Sequence, residues 1–400
     1  MSHSAALAGV RVLDFTRVLA GPFCTMLLAD MGAEVIKVES LQGDDTRQWG
    51  PPWFENDGER ESAYYLSVNR NKRSIALNLK APEGQKIARK LAAQSHIVVE
   101  NLRPGGMGAF GLGFNDLIAI QPALVYASVT GYGQNGPYSE RPGYDFVIQA
   151  QSGMMSITGP ETGEPYKLGV AICDVVAGLF AATSILAALR QAEAVGQGQH
   201  LDIGLLDTSL AALVNVASGA LVSNQPPARY GNAHPSIVPY QLFDAEDKAF
   251  ALAAGNDRQF AALCGVIGQP ELANDERFAA NPARVAHREA LVEILQVVFR
   301  TRKAETWVDK LLLAGVPAGS LNDVLAALND PQVQSRGLVQ TVAFLGDTLK
   351  LVGPAVQFSA TPPTVRSAPP RLGQHTNEIL QGIGMSDADI STLRQSGVVG

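Results

Sequence analysis

The sequence predicts an α/β protein in which a large domain holds a doubly wound, Rossmann-like parallel sheet and a smaller α+β domain follows it. Two observations predict this fold. Short apolar segments of strand character alternate with segments of helical character from Arg11 to Thr130, which is typical of parallel sheets with helical crossovers. The pattern then changes at Asn224, where the proline-rich segment NQPPARYGNAHPSIVPY begins.

The elements of the large domain follow from local patterns. The strands alternate apolar and polar residues or form short apolar runs, and Pro82 is favoured in the first turn of a helix. Residues 41–71 are rich in glycine, proline and charge, and we expect them to form a loop. The predicted strands are Arg11–Phe15, Glu34–Val38, Ser74–Leu79, Ile97–Glu100 and Leu124–Thr130, and the predicted helices are Phe23–Met31 and Pro82–Gln94.

Composition divides the chain into four stretches. Residues 1–223 are predicted to form the first part of the large domain, 224–240 a linker, 241–325 the small α+β domain, and 326–400 a return linker with the C-terminal part of the large domain. The elements predicted after the linker are strands Tyr240–Asp244 and Phe250–Ala254, helices Asp257–Ile267, Arg284–Arg300 and Lys303–Ala314, and a final helical pair that begins with Thr376–Gly382.

Charge and cysteine content exclude several classes of function. The net charge is −7, and the longest basic run is RNKR at 70–73, so nucleic acid is not an expected partner. The three cysteines form no CxxC pair, so we expect neither a disulfide framework nor a metal site. The N-terminal segment MSHSAALAGVRVLDF has no basic region followed by an apolar core, and we therefore expect a cytoplasmic protein.

A single carboxylate interrupts the most apolar stretch of the chain. The run from Val170 to Leu189 contains one acid, Asp174, whose ionised form costs several kcal/mol to desolvate without a partner. The run has the length of a membrane span, but an acid well inside it disfavours one. Asp174 is also placed to act as the N-cap of a helix over Val175–Arg190, or as a catalytic carboxylate. Capping and catalysis are compatible, so both interpretations stay open.

The glycine motif of the chain does not predict a nucleotide site. Residues 131–136 read GYGQNG and match GxGxxG, but Pro137 and Pro142 follow, so no helix is expected to open at the third glycine. The sequence contains no phosphate loop, no G-x-S-x-G elbow and no HExxH. Carboxylate chemistry remains, and the candidate residues are Asp145, Asp174, Tyr144 and Cys173. Of these, Cys173 is expected to be a small buried hydrophobic residue rather than a nucleophile.

Eight motifs in register along the chain carry a resemblance to a known family. They are LAGPF (19–23), EVIKVE (34–39), GDDTRQWGPP (43–52), NKRSIALNLK (71–80), ENLRPG (100–105), GYGQNGPYSERPGYD (131–145), KLGVAICD (167–174) and RLGQHTNEIL (371–380). In this order they resemble the class III CoA transferases. The resemblance extends from the N-terminal to the C-terminal part of the sequence.

The resemblance implies a nucleophilic aspartate at Asp174. In that family the carboxylate attacks the thioester of the acyl-CoA donor and forms an aspartyl mixed anhydride, and an aspartyl-CoA thioester follows before the new acyl-CoA leaves. Coenzyme A thioester is thus a substrate, and no prosthetic group is implied. Thioester exchange conserves the energy of the bond, which agrees with the missing phosphate loop.

Two alternatives accompany this interpretation. Related α-methylacyl-CoA racemases pair the aspartate with a histidine 30 residues earlier, where this chain has Tyr144, and a tyrosine with a pKa near 10 cannot replace an imidazole base at neutral pH. We therefore expect a transferase in which Tyr144 helps to place the carbonyl group or the acceptor acid. The other alternative is a non-catalytic acyl-CoA binding protein.

The resemblance also implies binding residues and an assembly. An interlocked homodimer is implied, with acyl-CoA and a free carboxylic acid as the other partners and no membrane. The loop YGNAHP resembles that of members that use succinyl-CoA and dicarboxylic or branched acids, and it is not glycine-rich as in formyl-type members. The implied CoA contacts are Leu19, Ala20, Leu77, Lys80, Asn101, Leu102 and Arg103, and the implied substrate loop contains Gly231, Asn232 and His234.

Overall fold

The computed structural model describes residues 5–400, which divide into two compact units. One unit contains the chain up to Met154, Leu168–Asn224 and Pro331–Gly400; the other contains Met155–Lys167 and Gln225–Asp330. Residues 1–4 of the predicted large domain, with the start of the segment judged to lack a signal peptide, lie outside the described residues. The domain boundaries predicted from composition stay predictions.

The first unit begins with strands and helices in alternation. All seven predicted elements have ends within three residues of the observed ones, and the strand predicted at Ser74–Leu79 begins and ends earlier than predicted. The elements are β1 (Arg11–Asp14), α1 (Ala20–Asp30), β2 (Glu34–Glu39), β3 (Trp53–Asn56), β4 (Glu59–Ser62), α2 (Ala63–Ser67), β5 (Lys72–Ala76), α3 (Pro82–Ala93), β6 (Ile97–Glu100), α4 (Phe114–Ile118), β7 (Val125–Thr130) and α5 (Asp145–Gln151).

A long helix and a sixth parallel strand complete the central sheet. The helix is α6 (Ile172–Val195), the strand is β8 (Gln199–Gly204), and α7 (Leu205–Ala212) and α8 (Val214–Ser223) follow. The strand order is β5-β2-β1-β6-β7-β8, and every pair is parallel. This is the doubly wound Rossmann order, in which the chain runs outwards in both directions from β1. The predicted parallel sheet is confirmed.

Apolar layers cover both faces of the sheet. On one face α1 and α6 pack against β1, β6 and β7, with Val12, Val99 and Val125 among the buried residues. On the other face α3 and α4 pack against the alternate positions of the same strands, such as Leu13 and Val98. Burial on both faces explains why these strands read as apolar runs rather than as alternating patterns.

The structure corrects the interpretation of Asp174 as a helix cap. The residue before α6 is Ala171, which forms no side-chain cap, and Asp174 is the third residue of the helix. Within residues 5–400, α6 is long and apolar enough to cross a bilayer, and the bent pair α7–α8 passes the same criterion if it counts as one span. In the structure the small residues of α6, such as Ala177 and Ala181, are buried against α1 and the sheet.

The region predicted to be a loop contains ordered structure. β3 and β4 form an antiparallel hairpin within residues 41–71, and α2 follows it. The buried Arg47 explains this order, because it donates to Glu39, Glu61, the Tyr65 hydroxyl and a backbone carbonyl of Pro370. A charged side chain that makes several hydrogen bonds can be buried at the centre of a segment that looks polar in sequence.

The second unit has its own core around a three-stranded antiparallel sheet, in which β10 (Ala249–Ala253) lies between β9 (Tyr240–Asp244) and β11 (Ala318–Ser320). Phe243, Phe250, Phe299 and Trp307 form edge-to-face or tilted ring contacts in that core. Its elements are β9 (Tyr240–Asp244), β10 (Ala249–Ala253), α9 (Asp257–Val266), α10 (Asn281–Ala286), α11 (Arg288–Phe299), α12 (Ala304–Leu313), β11 (Ala318–Ser320) and α13 (Val324–Leu328). The single helix expected at Arg284–Arg300 is divided into α10 and α11 at His287.

The chain then returns to the first unit through a hairpin and a helical pair. These elements are α14 (Pro331–Ser335), β12 (Val339–Phe344), β13 (Asp347–Val352), α15 (Thr376–Gly382) and α16 (Asp387–Gln395). Ile379, Leu380 and Ile390 pack into the core on the α3 face of the sheet. The C-terminal segment is therefore part of the large unit's core.

The close approach of α1 and α6 gives a testable prediction. A Cβ atom on Gly178 would lie 2.7 Å from the carbonyl oxygen of Ala20 and 3.0 Å from a ring carbon of Phe23. Gly178→Ala must therefore push α6 away from α1, and we expect the free energy of unfolding to fall by about 1–3 kcal/mol. The matched control is Gly219→Ala in α8, where a Cβ meets nothing within 4 Å, so the gain in helix propensity should leave stability unchanged or raise it. Equal effects of the two changes in urea denaturation would contradict this packing.

Candidate active site

A cleft lies at the carboxyl ends of the central strands, where β1 and β6 are neighbours. The chain leaves these two strands in opposite directions, and in open α/β sheets ligands bind at such switch points. The cleft has a volume of about 380 Å³ and is lined by the loops after β1 and β6, by residues 139–144 and by Asp174. Seven residues singled out from the sequence line it together: Leu19, Ala20, Asn101, Leu102, Arg103, Tyr144 and Asp174.

Two other predicted contacts line a second cleft. Leu77 and Lys80 lie in this cleft of about 540 Å³, which shares Arg17 and Leu102 with the first. The two clefts are therefore adjacent along the loops that follow β1 and β6. We refer to them as the Asp174 cleft and the Lys80 cleft.

Asp174 is a carboxylate without a partner. It is partly buried in the first turn of α6, and no donor within residues 5–400 makes a hydrogen bond with its side chain. Burial raises the pKa of Asp174, the negative charge of Asp145 raises it in the same direction, and together they bring it to about 7. A poorly solvated carboxylate of this kind is a stronger nucleophile than one that is surrounded by donors.

Asp145 and Gln149 on α5 hold the chain just before Asp174. The Asp145 carboxylate accepts from the backbone N–H of Cys173 at 2.8 Å and from the Gln149 amide at 2.6 Å. The other end of the same amide accepts from the N–H of Leu168 at 2.8 Å. Asp145 thus satisfies a free donor at the start of α6 that the helix cannot satisfy itself. Asp145 supplies, from a neighbouring helix, the hydrogen-bond acceptor that the cap interpretation had assigned to Asp174.

A buried ionic network fixes the loop after β1. Asp14 accepts from the backbone and hydroxyl of Thr16 at 2.9 and 2.5 Å, and the Lys37 ammonium donates to the Thr16 carbonyl at 2.8 Å. Asp44 pairs with Lys37 at 2.9 Å and accepts from the N–H of Val18 at 3.3 Å. Val18 has a φ of 70°, a strained value for a β-branched residue. These contacts hold the strained residue beside Leu19 in the wall of the cleft.

The loop after β6 is attached to the loop after β1. The side chain of Asn101 accepts from the N–H of Arg17 at 3.0 Å and donates to its carbonyl at 2.7 Å. The buried carboxylate of Glu100 accepts from the N–H of Leu102 at 2.8 Å, and burial raises the pKa of Glu100 to about 7. The two walls of the Asp174 cleft are therefore joined by hydrogen bonds rather than by packing alone.

Sequence reasoning missed an aromatic pair near Asp174. Burial, and after it the charges of Asp174 and Asp145, raise the pKa of Tyr64 to about 12. Tyr64 packs edge-to-face on Trp49, with 5.1 Å between the ring centroids. Both residues belong to the segment that was expected to be a loop, and no local pattern placed Tyr64 beside an acid 110 residues later.

The remaining candidates have different surroundings. Tyr144 is 63% exposed, precedes α5 and forms no side-chain cap, so its ring is free to contact a ligand in the cleft. Cys173 is fully buried, and burial raises the pKa of its thiol to about 11, which confirms the expectation of a buried hydrophobe. No helix opens at Gly136, as expected from the prolines.

The predicted substrate loop lies in the second unit. Gly231 has a φ of +56°, and the imidazole of His234 accepts from the N–H of Ser236 at 3.1 Å and packs against Tyr240 with 5.3 Å between the ring centroids. Arg288 donates to the carbonyls of His234 and Pro235 at 2.8 and 3.0 Å. The loop that also contains Asn232 is thus ordered within its own unit, and a role in binding substrate stays a prediction.

The raised pKa of Asp174 predicts a pH-dependent effect on stability. In the unfolded chain the residue ionises with a pKa near 3.8, whereas in the folded protein it holds its proton up to a pH of about 7. Stability contributed by this group is therefore lost as the pH rises between these values. We expect Asp174→Asn to be more stable than the wild type at pH 8, by about 1–3 kcal/mol, with a gain that shrinks towards pH 4.5. Urea denaturation across this range tests it, and a gain that does not vary with pH would be inconsistent with a raised pKa.

Comparisons with known proteins identify the family of the chain. The sequence profile of CoA-transferase family III matches residues 7–376. A human succinyl-CoA:glutarate CoA-transferase is 44% identical over 100% of this chain and 91% of its own length, and a succinate–glutarate CoA-transferase of Agrobacterium fabrum is 44% identical over 94% of both chains. A crystal structure of a CAIB/BAIF family protein from Brucella suis has a TM-score of 0.87 and 42% identity, covering 95% of this chain and all of that one.

These similarities extend over nearly the whole chain, and the fold, the order of the motifs and the lone acid at the start of α6 are consistent with them. The chain belongs to CoA-transferase family III and is a CoA transferase.

Proposed function

We propose that the protein moves coenzyme A from succinyl-CoA, or a similar acyl-CoA, to a dicarboxylic acid of the size of glutarate, through covalent intermediates on Asp174. The observation that carries the proposal is the unpartnered, poorly solvated carboxylate in the Asp174 cleft. The names of the human and Agrobacterium fabrum relatives, both glutarate CoA-transferases with succinyl-CoA or succinate as the other participant, support the substrate class.

The first half-reaction opens the donor thioester. A carboxylate oxygen of Asp174 attacks the acyl carbon, the carbon–sulfur bond breaks, and CoA leaves as a thiolate beside an aspartyl mixed anhydride. The thiolate then attacks the aspartyl carbonyl, forms the aspartyl-CoA thioester, and releases the donor acid with one oxygen that came from Asp174. No proton is consumed overall. Because the attack needs the ionised form of Asp174, its raised pKa affects only the fraction of the enzyme that is ready to react.

The second half-reaction reverses these steps with the acceptor. The acceptor carboxylate attacks the aspartyl-CoA carbonyl, the thiolate leaves again, and a new mixed anhydride forms. The thiolate then attacks the acyl carbon of the acceptor, which gives the new acyl-CoA and returns Asp174 to its carboxylate form. The oxygen retained by Asp174 came from the acceptor acid. The energy of the thioester is conserved at every stage, so no nucleotide hydrolysis is needed.

The two adjacent clefts suit the two ends of an acyl-CoA. We assign the acyl group and the thiol end of the pantetheine arm to the Asp174 cleft, with Tyr144 placing the carbonyl group. The nucleotide end is assigned to the Lys80 cleft, where Lys80 and the nearby Arg103 would donate charge-assisted hydrogen bonds to phosphates. The pantetheine arm would be contacted through backbone and apolar atoms of Leu19, Ala20, Leu77, Asn101 and Leu102.

Trapping of the covalent intermediate tests the proposed function. Incubation with succinyl-CoA and hydroxylamine should convert Asp174 of the wild type to a hydroxamate, detected as a mass gain on its peptide, because the anhydride and thioester are activated acyl groups. Asp174→Asn should give no adduct and lower kcat by at least about 1,000-fold. The matched control is Asp116→Asn, an acid in the first turn of α4 that does not line the Asp174 cleft, which should behave as wild type.

The alternatives give different results in the same samples. An enzyme that incorporates deuterium at the α-carbon of a branched acyl-CoA and forms no adduct would be a racemase. Acyl-CoA binding without either reaction, unchanged in Asp174→Asn, would indicate a binding protein. Either result would contradict the proposed reaction.

We also infer an interlocked homodimer located in the cytoplasm, with the domain boundaries at 223, 240 and 325. Support for assembly comes from large apolar side chains that are exposed on α5, α6 and α8 of a single chain. Examples are Phe146 at 58%, Leu179 at 47%, Leu221 at 84% and Val222 at 89% exposure.

Light scattering coupled to gel filtration should give twice the chain mass at micromolar concentration, and the chain mass alone would refute the dimer.

A further inference from the structure

The glycine motif, at which no helix begins, has a structural role. Residues 131–143 leave the end of β7 and return to the start of α5, and the two ends of this loop touch at Gly131 and Gly143. A Cβ atom on Gly131 would lie 2.7 Å from the Cα of Gly143, and one on Gly143 would lie 2.6 Å from the Cα of Gly131. Only glycine permits this approach, so the neck of the loop is closed by backbone contact. We refer to it as the glycine-necked loop.

Side chains outside and inside the loop fix its shape. The Asp202 carboxylate at the end of the sheet accepts from the N–H of Gln134 at 2.9 and 3.0 Å. The Tyr132 hydroxyl donates to Gln151 on α5 at 2.7 Å. The N–H of Arg141 donates to the carbonyl of Tyr138 at 2.9 Å and closes a turn just before the neck. The loop is therefore a rigid projection rather than a mobile lid.

This projection holds one guanidinium at the cleft that contains Asp174. The central carbon of the Arg141 guanidinium lies 3.7 Å above the centre of the Tyr138 ring, and Tyr138 in turn packs edge-to-face on Tyr132 at 5.8 Å. Stacking on an aromatic face fixes the plane of the guanidinium and leaves its N–H edge free. Across the part of the chain that the structure describes, no salt bridge involves the Arg141 side chain, which lines the Asp174 cleft.

The other two cations of the Asp174 cleft have different surroundings. Arg17 pairs with Asp45 at 3.2 Å, and it lines both clefts. Arg103 lines the Asp174 cleft next to Leu102, which lines both clefts, and the proposed function assigns Arg103 to the phosphates of CoA. Arg141 belongs to the Asp174 cleft and not to the Lys80 cleft. Arg103 is next to a residue that lines both clefts, whereas none of residues 139–143 lines the Lys80 cleft, so we expect an anion other than a CoA phosphate beside Arg141.

We propose that Arg141 binds the distal carboxylate of the dicarboxylic substrate and so selects dicarboxylic over monocarboxylic acids. The proposal rests on the proposed function, in which Asp174 reacts with the other end of the same molecule. A guanidinium fork matches a carboxylate in a bidentate pair, and its fixed orientation lowers the entropy cost of binding. Donor and acceptor acids of the same class would use the same contact in the two half-reactions.

Substrate pairs that differ only at the distal end test this role. Glutarate and valerate have the same chain length, and valerate carries a methyl group where glutarate has its second carboxylate. With saturating succinyl-CoA, Arg141→Gln should lower kcat/KM for glutarate by about 10-fold or more and change that for valerate by less than about twofold, because only the first loses a charge-assisted pair. Arg141→Lys keeps the charge without the fork and should give an intermediate loss for glutarate.

A second arginine of the same cleft, Arg17, serves as a control that distinguishes a specific contact of Arg141 from the general effect of positive charge in the cleft. Arg17→Gln removes the same charge and should change the two acids by similar factors, leaving the glutarate-to-valerate ratio as in the wild type. The proposal is overturned if Arg141→Gln lowers both acids equally, or changes neither. It is also overturned if this variant raises KM equally for succinyl-CoA and butyryl-CoA, because that result would assign Arg141 to the phosphates of CoA.

A binding measurement keeps this test separate from the reaction itself. If the wild type transfers no CoA, the proposed function fails, and calorimetric titration of glutarate into the wild type and Arg141→Gln still tests the contact. A weaker dissociation constant for glutarate in the variant, by about 10-fold, supports the assignment. Equal dissociation constants contradict it.

Discussion

The ionic network beneath the loop after β1 is the constraint on which the site depends. Lys37 and Asp44 form a fully buried pair, and Asp14 lies in the same network with Lys72 at 3.1 Å. Burial alone would raise the pKa of Asp14, but the ammonium groups of Lys72 and Lys37 hold it below its usual range. Loss of one member would leave a buried charge unpaired, at a cost of about 3–5 kcal/mol. These buried ion pairs therefore hold the strained loop after β1 in place against the sheet.

That loop determines the position of both walls of the Asp174 cleft. The strained Val18 is held by Asp44, and Arg17 exchanges two hydrogen bonds with Asn101 of the loop after β6. Gly178 lets α6 lie against the first turn of α1, so that Asp174 stands next to the same loop. The geometry of the Asp174 cleft thus comes from backbone contacts and buried charges, while few of its side chains make hydrogen bonds to one another.

Two carboxylates at neighbouring helix starts have different surroundings and therefore different roles. Asp145 accepts hydrogen bonds from Cys173 and Gln149 and works as a structural acceptor for α6. Among residues 5–400 no side-chain or backbone donor binds the Asp174 carboxylate, which is poorly solvated and faces the charge of Asp145, so its ionised form is held in an unfavourable state. The free energy lost by leaving Asp174 without a partner is available for reaction with an acyl group that removes its charge.

Local patterns predicted the parallel sheet well, because its strands are buried on both faces and alternate with helices. β8 was not predicted, since Gln199–Gly204 carries polar residues on an edge strand and has no continuous apolar run. Asp174 was recognised because an acid inside an apolar helix needs an explanation. The cap from Asp145, the place of Tyr64 and the closed neck at Gly131 and Gly143 depend on contacts between segments far apart in sequence, which local patterns do not specify.

The central claim is that Asp174 exchanges an oxygen atom with its substrates in every catalytic cycle. After many turnovers with succinyl-CoA and an acceptor acid labelled with ¹⁸O in both carboxylates, mass spectrometry of the peptide that contains Asp174 measures this exchange directly. The account predicts ¹⁸O at Asp174, with both of its oxygens labelled as turnovers accumulate, and no label in Asp145. An enzyme that converts the labelled acid to its CoA thioester while Asp174 stays unlabelled would contradict the covalent route.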